Sequence, residues 1–137
     1  MGRLFRAVTL RNAGRSIMIV AFIDSGSDTT IISHRLARKL HLRPFGKDNI
    51  ELPDGRVIPT YVGKVMIEVE RDNIKKMFRV DITDLPFNED IDDVDMIIGV
   101  DLLQACNIKL QFIEGHAGRS GKGPVWRAPA DAVSKSG

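Results

Sequence analysis

The chain has 137 residues, 43% hydrophobic and 28% charged, enough for one globular domain with its own core. Its formal charge of +2 lies beyond residue 113, where Arg119, Lys122, Arg127 and Lys135 face Glu114 and Asp131; totals of 20 basic and 18 acidic side chains leave 16 of each in residues 1–113, so charge makes no case for a nucleic-acid partner. The single cysteine, Cys106, excludes an internal disulfide framework and a structural zinc cluster, and neither a metal nor any other cofactor is expected.

Residues 4–10 alternate loosely and carry enough apolar side chains for a strand, and Asn12, Ala13 and Gly14 then turn the chain. Residues 17–23 form the second strand of this opening hairpin. Thr29, Thr30, Ile31 and Ile32 are β-branched throughout and predict a short strand. Ser33 is placed to cap a helix over 34–40, with Leu36, Ala37 and Leu40 inside and Arg35, Arg38 and Lys39 on a solvated face. Asp54-Gly55 between extended segments is a strong hairpin signal, because a tight primed turn needs positive φ at both central residues. Residues 62–69 and 74–82 predict a second, longer hairpin turning at Arg71, Asp72 and Asn73.

The acidic stretch 88–95 lacks the glycine and distal glutamate of a helix–loop–helix calcium site and is expected to be a solvated loop. Met96, Ile97, Ile98 and Gly99 make a short apolar strand, after which Asp101 caps or opens a helix through Leu102, Leu103 and Cys106. Ile108, Leu110 and Phe112 alternate as a last strand. Residues 114–137 are rich in Gly, Pro and Ser and predict a flexible tail whose one large apolar side chain, Trp126, docks weakly on the domain. The sum is a mostly β domain over residues 1–113, a small closed or partly closed barrel with one or two short helices.

The chemistry centres on residues 20–30, where an apolar strand ends in Asp24. A carboxylate at the end of a core strand is costly to ionise without hydrogen bonds. Ser25 and Gly26 answer that cost, one with a hydroxyl and the other with room for backbone N–H groups to approach. One carboxylate cannot hydrolyse a peptide through activated water, whereas two sharing a proton can act as base and acid together. This chain offers one aspartate so placed, so its partner has to come from a second copy across a twofold axis.

Residues 22–30, Phe-Ile-Asp-Ser-Gly-Ser-Asp-Thr-Thr, resemble the apolar-apolar-Asp-Thr/Ser-Gly-Ala/Ser signature of retropepsin-like aspartic proteases, and Ile97-Ile98-Gly99 matches its second half. The resemblance covers about residues 4–113 and is nearest to non-viral cellular and prokaryotic members, which often carry an Asp-Gly-Arg flap turn. It implies a homodimeric aspartic endopeptidase of the retropepsin fold that acts on a peptide or protein substrate. Asp24 would be the catalytic acid/base. Ser25 would brace the partner's loop, and Gly26 would leave room for substrate backbone. Ser27 and Asp28 would line the cleft. Leu52, Pro53, Asp54, Gly55 and Arg56 would form the flap, and Ile97, Ile98 and Gly99 would pack under the catalytic loop. Val100 stands where retroviral members often have an arginine paired to the aspartate matching Asp28. Viral chains also end near the strand at 108–112, whereas this one continues.

The alternative from another class is a non-catalytic module of the same fold, a dimerisation or peptide-binding domain whose cleft holds an extended peptide without cutting it. A nucleic-acid binder using Arg35, Arg38, Lys39 and Arg43 rests on local charge alone. No apolar run approaches the roughly 20 residues of a membrane span and no signal-peptide core is visible, so a cytoplasmic protein without a membrane partner is expected.

Overall fold

A computed structural model of the chain describes residues 4–52, 54–84, 94–112 and 124–128. Its strands are β1 (Leu4–Asn12), β2 (Arg15–Ile23), β3 (Ile31–Ile32), β4 (Gly46–Glu51), β5 (Val57–Val69), β6 (Ile74–Ile82), β7 (Met96–Ile98), β8 (Lys109–Phe112) and β9 (Pro124–Arg127), and its helices are α1 (His34–Lys39) and α2 (Val100–Ala105). Pro53, most of the acidic stretch and most of the tail lie outside the described residues.

β1 and β2 pair antiparallel from Leu4 opposite Ile23 to Asn12 opposite Arg15, and Ala13 and Gly14 close the turn with φ of 49° and 81°. The period of two decides which side chains go in: Val8, Leu10, Ala21 and Ile23 are buried, while Met18 and Val20 point out to solvent. β7 runs parallel to β2, with Ile97 beside Phe22 and Ile98 beside Ile23. β3 joins β7 to β6, β6 pairs along β5, and β5 returns to β1 with Thr9 opposite Glu68 and Arg11 opposite Met66. Six strands therefore close on themselves and leave no open edge around the wall. Val65, Ile67, Val69, Val80, Ile82, Met96 and Ile98 fill the interior, each buried side chain contributing about 1.5–3 kcal/mol.

The expected helix cap holds: the Ser33 hydroxyl accepts from the Leu36 N–H at 3.1 Å, and Leu36, Ala37 and Leu40 are buried. Asn73 ends the turn between β5 and β6 in the left-handed region, with φ of 55°. Three features differ from the sequence reading. First, the two hairpins share one strand, β5, which runs unbroken for 13 residues through Pro59. Proline is tolerated there because β6 begins pairing only at Tyr61, so at Pro59 the strand has β4 as its neighbour on one side. Second, Gly99 is the cap of α2, and Asp101 lies within its first turn with its side chain turned across to Thr30. Third, the stretch read as tail contains β9, which pairs antiparallel with β8. Trp126 on β9 is buried in the main core, and the Arg6 guanidinium stacks 4.8 Å from its ring centroid. Among the described residues no helix is long and apolar enough to cross a membrane.

Candidate active site

β2 and β7 leave the barrel side by side, and the loop after β2 folds over their ends. The Asp24 N–H donates to the Ile98 carbonyl at 3.0 Å, which fixes the aspartate at the rim of the wall. The Gly26 N–H donates to Asp24 Oδ1 at 2.9 Å, and the Ser27 N–H to the Asp24 carbonyl at 3.1 Å. This is the short turn that the Ser25-Gly26 pair suggests: a methyl at Gly26 would stand 3.2 Å from Asp24 Oδ1 and crowd that bond. The Ser27 hydroxyl donates to the Thr29 carbonyl at 2.8 Å and closes the loop internally.

Gly99 packs beneath this loop. A methyl built on it would lie 2.6 Å from the Thr29 carbonyl carbon and 2.7 Å from the Ser27 carbonyl oxygen, so only glycine fits. The Val100 N–H donates to the Ser27 carbonyl at 2.8 Å, and the Gly99 N–H to the Thr30 hydroxyl at 3.2 Å. Asp101 completes the brace, its Oδ1 accepting from the Thr30 hydroxyl at 2.7 Å and its Oδ2 from the Thr30 N–H at 3.2 Å. The same carboxylate accepts from the Leu102 N–H at 2.7 Å, so one side chain ties the loop to the start of α2.

The loop borders a cleft of about 640 Å³ lined by Asp24, Gly26, Ser27, Asp28, Thr29, Ile31 and Ile97 on one side and by Asn49, Ile50, Glu51 and Leu52 of the β4 arm on the other. Its floor is apolar, since Ile31, Ile50 and Ile97 form a buried cluster with Phe22 and Ile58 against them. The arm turns at residues 52–56. There the Leu52 N–H donates to the Arg56 carbonyl at 2.8 Å, and Gly55 supplies a φ of 89°. Asp54 accepts from both the Arg56 N–H and its guanidinium, which hold its carboxyl below the ordinary range.

Of the residues singled out in the sequence, Asp24, Gly26, Ser27, Asp28, Leu52 and Ile97 come together at the cleft. Ser25 is exposed on the loop, Ile98 and Gly99 lie beneath it, and Asp54, Gly55 and Arg56 are exposed in the turn without lining the cleft. Pro53 lies outside the described residues. Thr29, Ile31, Asn49, Ile50 and Glu51 also line the cleft, and Thr30 and Asp101 brace it. Ile50 could have been found from the alternation running back from Leu52, whereas nothing in the sequence pairs Thr30 with Asp101. Among the described residues no group of three or more His, Cys, Asp or Glu side chains is placed to hold a metal ion.

A family model described as aspartyl protease matches residues 8–102 of the chain. The chain belongs to the aspartyl proteases, of the retropepsin-like kind. The DNA damage-inducible protein 1 of Candida glabrata is 36% identical to this aspartyl protease over 93 residues, which are 64% of the chain and 20% of that relative, so the chain spans about a fifth of its length. Two solved structures share the fold. The EIAV protease in complex with the inhibitor HBY-793 superposes with a TM-score of 0.59 at 20% identity, covering 77% of this chain and 88% of that one. The retroviral protease-like domain of Ddi1 from Leishmania major does so with a TM-score of 0.52 at 17% identity, covering 79% and 80%.

Proposed function

We propose that this aspartyl protease is an endopeptidase that works as a homodimer, hydrolysing peptide bonds between two Asp24 carboxyls. The observation that carries the reading is the setting of Asp24, held by the Ile98 carbonyl and the Gly26 N–H at the mouth of an apolar-floored cleft. Two carboxyl groups brought to about 3 Å cannot both ionise, so the pair holds one proton between them. The ionised Asp24 takes a proton from water as the water attacks the scissile carbonyl, and the protonated one donates to the carbonyl oxygen. On collapse the Asp24 that took the water proton passes it to the leaving amine while the other takes a proton from a hydroxyl of the tetrahedral intermediate, so the pair returns to its singly protonated state. Ile31, Ile50 and Ile97 receive an apolar side chain beside the scissile bond. Ser27 and Asp28 meet the extended substrate backbone, and the turn at 52–56 closes over it as a flap.

The test joins assembly to chemistry. Molar mass is measured at several concentrations alongside digestion of casein or a peptide library by wild type, Asp24→Asn and Asp24→Ala. The expected result is cleavage by a dimer, and loss of cleavage in both variants with molar mass and fold retained. Hydrolysis by Asp24→Ala, or by a chain that stays monomeric at every concentration, overturns the reading.

A further inference from the structure

Among the described residues β6 carries the one charged side chain that is fully buried, the others buried with it being apolar or hydroxyl-bearing. Asp81 is 1% exposed, paired with Ile31 of β3 on one side and Val62 of β5 on the other. Its N–H donates to the Thr30 carbonyl at 3.0 Å, and its Oδ1 accepts from the Thr60 hydroxyl at 2.9 Å, with the Arg79 guanidinium 3.7 Å from the same oxygen. Oδ2 is buried and has no hydrogen-bond partner of ordinary geometry among the described residues, though the Thr29 hydroxyl lies near enough to favour the ionised form. An apolar residue in place of Asp81 would spare the wall this cost, so packing alone does not account for it.

The partners of Asp81 lie in or behind opposite walls of the cleft. Thr29 lines the side that carries Asp24, and Thr30 follows it. Thr60 lies in β5 opposite Asp48 of β4, one residue from Asn49, which lines the other side. The segments that back the two walls therefore meet at this one buried carboxyl.

We infer that Asp81 is a positioning residue for the proteolysis proposed above, its buried carboxyl setting the distance between the Asp24 loop and the β4–β5 arm. The inference rests on that proteolysis. Desolvation is the largest influence and raises the carboxyl above its ordinary 3.8, opposed by the Thr60 hydrogen bond and by Arg79. The groups facing it are Arg79 on its own strand, Asp48 on β4, which raises it further, and the hydroxyls of Thr60 on β5 and Thr29 on the loop. The sign follows from the raised value. The neutral acid is undisturbed below the unfolded pKa, and the joint loses stability as pH rises through the folded one. A proton on Oδ2 removes the buried charge and supplies a donor where an acceptor was left alone.

The closing experiment compares wild type with Asp81→Asn, which keeps the shape but cannot ionise, and Asp81→Leu, which removes both polar atoms. In cleavage assays across pH, Asp81→Asn is expected to retain activity and to carry the alkaline limb of kcat/KM upward by about one pH unit or more. Asp81→Leu, checked for folding by circular dichroism, is expected to raise KM about tenfold with kcat within about twofold. An Asp81→Asn profile that overlays wild type, or a lost kcat at unchanged KM in Asp81→Leu, overturns the inference. Hydrogen exchange of the amides in residues 46–60, corrected for intrinsic rate, reads the joint without any substrate. Protection there is expected to fall with rising pH in wild type and to stay level in Asp81→Asn. Equal pH dependence in the two overturns the inference even where no cleavage is seen, while absence of cleavage in wild type counts against the protease reading alone.

Discussion

Replacing Gly99 with alanine puts the packing of the Asp24 loop to the test. Gly99 has φ of −98°, a conformation open to any residue, so what glycine supplies there is space. The added methyl would stand 2.6 Å from the Thr29 carbonyl carbon, against a comfortable carbon–carbon separation of about 3.5 Å, so the loop has to retreat by roughly 0.9 Å. The obstructing atoms are backbone and cannot rotate away. Overpacking of this kind costs about 1–3 kcal/mol, which in a domain of this size lowers Tm by roughly 4–12 °C. The retreating segment is the one that carries Asp24, and a misplacement near 1 Å costs about a hundredfold in kcat/KM. Thermal melting by circular dichroism and a peptide-cleavage assay on the same preparation measure both effects. A Gly99→Ala protein that melts and cuts like wild type refutes the reasoning.

Three further outcomes follow from the same geometry. Asp101→Ala leaves the Thr30 N–H and hydroxyl without their acceptor and should lower stability by about 1–3 kcal/mol in urea unfolding, whereas Thr30→Val with Asp101→Leu should cost less than the sum of the two single changes. Trp126→Ala should cost about 3–5 kcal/mol, and because Trp126 is the single tryptophan, wild-type fluorescence should shift to the red as β9 leaves the core. Asp95 is raised by burial but lowered more by hydrogen bonds from Arg35 and Ser33, and its net pKa lies below 3.8. Its contribution to stability is therefore present above pH 3.8 and lost as pH falls through the folded value. The Tm advantage of wild type over Asp95→Asn should close in that range, and a gap that widens on acidification would contradict this.

Local signals carried most of the fold. Alternation placed Val65, Ile67 and Val69 on one face, Ser33 announced its helix, and Asp54-Gly55 marked a turn, because each depends on neighbours within a few residues. The Asp24 loop was legible for the same reason, its turn being made by Gly26 and Ser27 immediately after the strand. The misses depend on partners far along the chain. Thr30 and Asp101 are 71 residues apart, and neither announces the other. The run of β5 through Pro59, which joins the two hairpins, was not legible because one sequence does not tell which side of a strand lacks a neighbour. β9 was hidden by its glycine-rich surroundings, and only its pairing with β8 and the burial of Trp126 give it order. Asp81 resembled any polar residue in a strand until β3 and β5 closed around it.

The length of β5 has a mechanical meaning. Residues 57–62 pair with β4, and residues 61–69 pair with β6, so the strand is clamped on at least one side throughout and behaves as a single rod. Lifting the end at Val57 together with β4 would tilt the other end against the seam where Met66, Ile67 and Glu68 meet β1. On the function proposed above, that seam is a fulcrum for the arm, and its stiffness bears on how readily a substrate enters. On that same proposal, Met66, Ile67 and Glu68 bear on admission although none of them lines the cleft.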